Sequence, residues 1–320
     1  MQIVIPDDYP PMYASLDQPD LRRLSQYGTL KLHTTRAAAR AELFARIAAA
    51  DVLINVRAYT VLDDEALAVA PDLKLVSILG TGTDNVDLGA AKRRGITVTN
   101  TPGVGAPSVA ELTFGLILAV TRGIPLSDAR VRQGTWQHVE GSELEGKTLG
   151  LLGLGAIGER VARLGRGFGM RVIAWSFAHD AARADRLGVE LVERDEVFRQ
   201  SDIVSVHLRN TPEVRGLVGA RELALMRPSA YLINTARGAL VDQDALAEAL
   251  RAGRLAGAGL DVFVDEPLQP DRNPFLDLTN VVLTPHAGAV TLAANARSRA
   301  MPIDNIIAYL ERRAEHVVNP

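Results

Sequence analysis

Three phrases in the second half of the chain hold residue types that together can reduce or oxidise a small organic acid. They are Asn234-Thr235-Ala236-Arg237-Gly238, Asp261-Val262-Phe263-Val264-Asp265-Glu266-Pro267 and Thr284-Pro285-His286-Ala287-Gly288. Arg237 offers a permanently charged planar fork that can grip carboxylate and carbonyl oxygens together. His286 is the side chain best suited to give and take a proton near neutral pH. A carboxylate from Glu266 on the other ring nitrogen would fix the tautomer and favour the imidazolium. Hydride addition beside a carboxylate needs a clamp for the acid and a proton donor for the developing alkoxide, and a third group to orient that donor. Singly, these are ordinary residues: a surface arginine, a loop glutamate, a turn histidine. Their combination, each behind an apolar run, is what points to catalysis.

Hydride must come from a carrier, and the chain offers a seat for one. Gly153-Leu154-Gly155-Ala156-Ile157-Gly158 follows the apolar run 148–152 and opens a helical stretch over 159–168, the setting a dinucleotide fingerprint requires. Gly153 permits the tight turn, Gly155 lets backbone approach a pyrophosphate, and Gly158 allows close packing of helix on strand. The amides of Ala156 and Ile157 belong to the same positive helix end. About 20 residues further on, where an acid would accept the ribose hydroxyls, stands Ser176. A hydroxyl reaches a ribose without repelling a 2′-phosphate, so NAD(H) and NADP(H) are both admitted. Arg183, Arg186 and Arg209 read more naturally as surface arginines, which leans the choice to NAD(H).

The elements that must position these groups are legible as alternating short apolar runs and helical stretches. A first series runs over 3–5, 30–32, 52–56, 75–79 and 96–99; a second over 148–152, 171–175, 202–206, 230–233, 257–260 and 281–283. Such β-α-β rhythm predicts two parallel sheets, each covered by helices on both faces. Asn100-Thr101-Pro102-Gly103 punctuates the first crossing between domains, with a buried helix over 108–121 after it and a crossover helix over 36–50 before it. Pro302 is expected to kink or end the last helix. In open α/β sheets ligands lie beyond the carboxyl ends of the strands, where Arg237, Glu266 and His286 would converge.

Composition removes other functions. The 320 residues, 47% hydrophobic and 23% charged, are enough for two packed domains and a cleft. Thirty-five basic against 38 acidic residues leave a net charge of −3, which gives no field to attract nucleic acid. With no cysteine there is no disulfide, no thiolate metal site and no Cys nucleophile, and no metal site is expected. The longest apolar run, over 112–120, is about half the length of a membrane span, and the first residues do not read as a signal peptide, so a cytoplasmic protein is expected.

Read as a whole, the chain resembles the D-isomer-specific 2-hydroxyacid dehydrogenase family. Beyond the phrases above, the likeness includes Gly80-Thr81-Gly82-Thr83-Asp84-Asn85-Val86-Asp87, Asn100-Thr101-Pro102-Gly103, Val109-Ala110-Glu111 and Val317-Val318-Asn319-Pro320. The resemblance implies a Rossmann dinucleotide-binding domain, residues 102–287, inserted into a flavodoxin-like substrate domain, residues 1–101 and 288–320. It gives Arg237, Glu266 and His286 the catalytic roles derived above. Thr81 and Gly82 would bind the substrate carboxylate, with Arg57 lining the same pocket. Thr235, Ala236 and Asp261 would surround the nicotinamide, His207, Leu208 and Thr211 would flank the adenosine side, and Gly288 would also bind the cofactor. The implied substrate is a small 2-keto or 2-hydroxy acid and the implied assembly a homodimer, with the segment around Trp136 as part of its arm. Glu266 argues against a formate dehydrogenase, which commonly has Gln there. A glyoxylate or hydroxypyruvate reductase leads; a phosphoglycerate dehydrogenase-like enzyme and a non-catalytic NAD(H)-sensing, corepressor-like binding protein are the alternatives.

Overall fold

The computed structural model describes residues 1–320 and separates into two compact units, Met1–Gly105 with Val290–Pro320, and Ala106–Ala289. Unit 1 carries a five-stranded parallel sheet of β1 (Gln2–Ile5), β2 (Thr29–Leu32), β3 (Val52–Asn55), β4 (Leu75–Ile78) and β5 (Thr97–Thr99), in the order β2-β1-β3-β4-β5. Unit 2 carries seven parallel strands, β6 (Thr148–Leu152), β7 (Arg171–Trp175), β8 (Glu190–Leu191), β9 (Ile203–Val206), β10 (Tyr231–Asn234), β11 (Gly257–Leu260) and β12 (Val281–Leu283), in the order β12-β11-β10-β9-β6-β7-β8.

Both are doubly wound. Unit 1 has the flavodoxin-like order with its switch point between β1 and β3; unit 2 has the Rossmann order with its switch point between β6 and β9. The central strands are buried along their whole length, as β3, β4, β6 and β9 illustrate, because helices cover both faces. That is why they read as unbroken apolar runs. The edge strand β2 instead alternates exposed and half-buried residues.

The 16-residue helix Ala106–Thr121 lies close on β11, where Gly257 and Gly259 leave the room. A Cβ at Gly259 would come 3.0 Å from that of Leu116, and one at Gly257 2.8 Å from Val120 Cγ2. Aspartates cap the helices that start at Asp64, Leu88, Ala181 and Gln243, each accepting a backbone N–H from the first turn.

Three details differ from, or add to, the sequence reading. The crossover helix expected over 36–50 is shorter, Arg40–Ile47, with the chain before it held by hydrogen bonds from Ala37 N to Asp7 and Ala38 N to Glu42. The two-residue strand β8 was not foreseen. Of the two outcomes expected at Pro302, a kink or an end, the helix does not end there: it runs Leu292–Leu310 with Pro302 inside it. Ile303 and Ile306, fully buried against Ile3, Ile5 and Ile54, explain the continuation. Burial of each is worth about 1.5–3 kcal/mol, enough to outweigh the roughly 3 kcal/mol a mid-helix proline costs. No single helix is long and apolar enough to cross a membrane.

Candidate active site

The glycine loop leaves β6 at the switch point of unit 2. Gly153 has φ +103°, and a Cβ there would lie 2.8 Å from the His207 carbonyl oxygen, just after β9. A Cβ at Gly158 would stand 2.2 Å from the Gly153 oxygen, so turn and helix touch with no side chain between them. Gly155, immediately before the helix Ala156–Gly167, has open space where its Cβ would be. Backbone N–H groups there face a region a phosphate can enter. His207 adds a second sign of a missing partner. Its Nε2 is 2.9 Å from Ser205 Oγ, while its Nδ1 is buried without any hydrogen-bond partner. Desolvation holds the ring down to about 3, so it stays neutral. An open cradle beside an orphaned ring nitrogen fits a dinucleotide. Leu208 packs over Gly153, its Cδ2 3.1 Å from the Cβ position. Thr211, exposed, precedes the short helix Pro212–Val214, and half-buried Ser176 follows β7.

The catalytic candidates stand on the loops after β10, β11 and β12, neighbouring strands of one sheet. Asn234 shapes the first loop: its Oδ1 accepts from Ala236 N at 3.0 Å and its Nδ2 donates to Arg237 O at 2.9 Å. Arg237 is half-buried, and its Nη1 donates to Ala236 O at 2.7 Å. Gly238 is required by packing, since a Cβ would lie 2.0 Å from the Phe263 carbonyl carbon. The β10 and β11 loops are thus pressed together. Thr235, buried, engages Thr113 through their hydroxyls at 2.9 Å.

The third loop is folded around Asp261, which is only 1% exposed. Its Oδ1 accepts from Thr284 Oγ1 at 2.6 Å and Ala287 N at 2.8 Å, and its Oδ2 from Gly288 N at 2.9 Å. Its carbonyl accepts from His286 N at 2.8 Å. This wrapping holds His286 at φ +53°, a left-handed conformation unusual outside glycine. His286 Nδ1 then meets Glu266 Oε2 at 2.6 Å, while Glu266 Oε1 accepts from Phe263 N at 2.9 Å. Burial pushes the Glu266 carboxyl up, but the bonds from His286 and the Phe263 amide, with attraction to His286 and Arg237, outweigh it. The group sits below its ordinary range and is ionised at neutral pH. His286 Nε2 has no partner in the chain, leaving it available to a ligand.

A family model described as "D-isomer specific 2-hydroxyacid dehydrogenase, NAD binding domain" matches residues 114–288. A glyoxylate reductase of Aeropyrum pernix is 44% identical over 266 residues, covering 79% of each chain. The chain belongs to the D-isomer-specific 2-hydroxyacid dehydrogenase family. It is a D-2-hydroxyacid dehydrogenase, an oxidoreductase acting on CH–OH groups, and unit 2 is its domain for a nicotinamide dinucleotide. A D-3-phosphoglycerate dehydrogenase of Mycobacterium tuberculosis is 44% identical over 261 residues, 81% of this dehydrogenase but 49% of the relative, so the match spans about half that protein's length. In structure, a D-lactate dehydrogenase of Aquifex aeolicus complexed with NAD and lactic acid is 30% identical, with a TM-score of 0.87 over 100% of this dehydrogenase and 99% of that chain.

The structure brings Glu266 and His286 into contact and sets Arg237 on the neighbouring loop. Thr81, Gly82 and Arg57 lie in unit 1, on the loops after β4 and β3. Arg57 Nη2 donates to Pro10 O, and its Nε is buried without a partner. Asn234, Thr284 and Gly238 were not singled out from sequence. They lie inside phrases that were, but nothing in the residue type alone announces a backbone clamp.

Proposed function

We propose that this dehydrogenase reduces glyoxylate, hydroxypyruvate or a similarly small 2-keto acid at C2. The observation that carries this is the 2.6 Å pairing of His286 Nδ1 with an ionised Glu266, which leaves Nε2 available. In this reading Nε2 delivers a proton to the carbonyl oxygen and Arg237 holds the carboxylate. Glu266 orients the imidazole for that transfer. The dinucleotide, when bound, supplies the hydride. Gly153, Gly155, Gly158 and the amides of Ala156 and Ile157 would hold its pyrophosphate. His207, Leu208, Thr211 and Ser176 would meet the adenosine half, and Thr235, Ala236, Asp261 and Gly288 the nicotinamide half. From unit 1, Thr81 and Gly82 amides would take a carboxylate oxygen and Arg57 line the pocket; unit 1, with residues 1–101 and 288–320, would be the substrate domain.

NAD(H) is the favoured coenzyme. Arg183, one candidate cation for a 2′-phosphate, donates to Leu154 O at 3.0 Å and lies 3.4 Å from Asp180, contacts that compete with a phosphate for its guanidinium. A homodimer is part of this reading. Trp136 is 83% exposed, and Ile124 and Val131 on the same unit are 52% and 53% exposed, apolar side chains suited to burial against a second copy.

The deciding experiment is a matrix of small keto acids against NADH and NADPH, compared by kcat/KM. Turnover of glyoxylate or hydroxypyruvate with NADH preferred is the expected result. Absence of turnover with every acid, despite dinucleotide binding, would overturn the proposal.

A further inference from the structure

The loop after β4 is tied down in an unusual way. Gly80, at φ +143°, donates its N–H to Thr101 Oγ1 at 2.8 Å and accepts from Thr101 N at 3.0 Å. Thr81 Oγ1 donates to Thr101 O at 3.1 Å, and Asn100 Nδ2 donates to Thr81 O at 2.8 Å. Two successive carbonyls, Gly80 and Thr81, are therefore pinned toward the Asn100–Thr101 segment. A peptide unit is planar and trans, so its N–H points opposite to its C=O. Fixing those carbonyls aims the Thr81 and Gly82 N–H groups the other way. Neither N–H donates to anything in the chain. Two such adjacent free amides make a small anion-binding concavity.

Asn100 is itself braced from a distance. Its N–H donates to His316 O at 3.2 Å, and its carbonyl accepts from Asn305 Nδ2 at 2.8 Å. Asn305, 2% exposed on the helix Leu292–Leu310, pairs through Oδ1 with His316 Nδ1 at 2.9 Å. The segment around His316 is stitched to β5 by Val318 N to Val98 O at 2.9 Å, Val98 N to Asn319 Oδ1 at 2.8 Å and Asn319 Nδ2 to Ile96 O at 2.8 Å. Asn100 and Thr101 are buried, so these bonds are made out of water, where losing one is expensive.

We propose that Asn100 is a positioning residue: braced by Asn305 and the His316–Asn319 segment, it aims the Thr81 and Gly82 amides at the substrate carboxylate. This rests on the reading that those amides bind the carboxylate. Asn100 touches no substrate and acts through the Thr81 peptide. Its removal frees that peptide to rotate, which weakens substrate binding and leaves the dinucleotide site of unit 2 untouched.

The test compares two changes. Replacing Gly82 by glycolic acid through nonsense suppression exchanges one amide N–H for an ester oxygen and probes the amide directly. Asn100→Ala probes its positioning. Each is expected to raise KM for the keto acid about tenfold to a hundredfold, the loss of one hydrogen bond to a charged group. The dissociation constant for NADH, read by fluorescence titration, should stay within about twofold. Asn305→Ala, which leaves the Asn100 side chain in place, should raise KM by a smaller factor and serves if Asn100→Ala folds poorly. A raised KM in the ester protein with unchanged KM in both Asn variants would overturn the positioning role alone. An unchanged KM in the ester protein would overturn the carboxylate reading and the proposal with it. Loss of thermal stability in Asn100→Ala with KM and NADH affinity both unchanged would reduce Asn100 to a structural residue.

Discussion

Glu266 meets His286 through one oxygen, Oε2 to Nδ1 at 2.6 Å, and spends the other on the amide of Phe263 at 2.9 Å. The carboxylate is therefore fixed in orientation before it orients the ring. The loops after β11 and β12, already held together by Asp261, are joined a second time by this side chain.

Glu266→Gln should lower kcat for keto-acid reduction by about tenfold or more, up to the 10²–10⁴ a positioned acid contributes. The sign of the pH effect follows from charge. The carboxyl is held below its ordinary range, so it is negative at neutral pH and loses its charge only in acid below that range. With Gln in its place the group no longer titrates, so the acid-side fall in reduction caused by protonating Glu266 should vanish from the profile. Profiles of kcat/KM against pH for both proteins check this, and coincident profiles would remove the pairing from the mechanism.

Arg237→Lys should reduce kcat/KM by about tenfold to a hundredfold, because an ammonium lacks the planar fork and loses about one charge-assisted bond. NADH affinity should hold. Normal kinetics in this variant would argue against a carboxylate clamp.

Gly155 and Gly158 should separate binding from folding. A Cβ at Gly155 meets nothing in the chain, whereas one at Gly158 would stand 2.2 Å from the Gly153 oxygen. Gly155→Ala is expected to melt at the wild-type temperature or slightly above, while NADH binding weakens about tenfold as the methyl enters the phosphate seat. Gly158→Ala should lose about 2 kcal/mol or more to overpacking. Thermal melts with NADH titrations test both; equal behaviour of the two variants would contradict the assignment.

Asp261→Ala should destabilise the protein by at least about 2 kcal/mol, since Thr284 Oγ1 and the amides of Ala287 and Gly288 lose a buried acceptor together. Activity should fall as His286 leaves its strained conformation. Denaturant midpoints at unchanged slope, with kcat, provide the measurement.

His207 should make the fold acid-sensitive. Burial holds it at about 3, below the ordinary 6.5, so between these values an unfolded chain takes up a proton the native one refuses. Its contribution is complete above about pH 6.5 and declines by up to about 1.4 kcal/mol per pH unit below it. His207→Gln, which can still bond Ser205, should show a flatter loss between pH 7 and pH 5 in urea melts.

What could be read in advance follows from which forces leave a mark in sequence. Strands such as β3, β4 and β6 were legible because burial on both faces demands apolar residues throughout. Strand β8 was not, being two residues at a sheet edge with one exposed and one half-buried position. Pro302 left the end of its helix undecided because local propensity opposes the helix while Ile303 and Ile306, fully buried, favour it. In the site, Arg237, Glu266 and His286 were recognisable by chemistry and order. The Asn234 and Asp261 clamps were not, because their partners are mainly backbone amides that any residue possesses. Asn100 lay in a recognised phrase, yet Asn305 stands 205 positions away and no local pattern links the two.

The pairing of the last residues with β5 has a further consequence. Val317 bridges Thr99 in antiparallel fashion, and Val318 and Asn319 engage Val98. A strand at a sheet margin otherwise offers a row of unsatisfied peptide groups to any passing chain. Here that margin is sealed by residues 317–319 of the same chain, so substitutions that break those bonds would uncover an adhesive edge and favour aggregation as concentration rises.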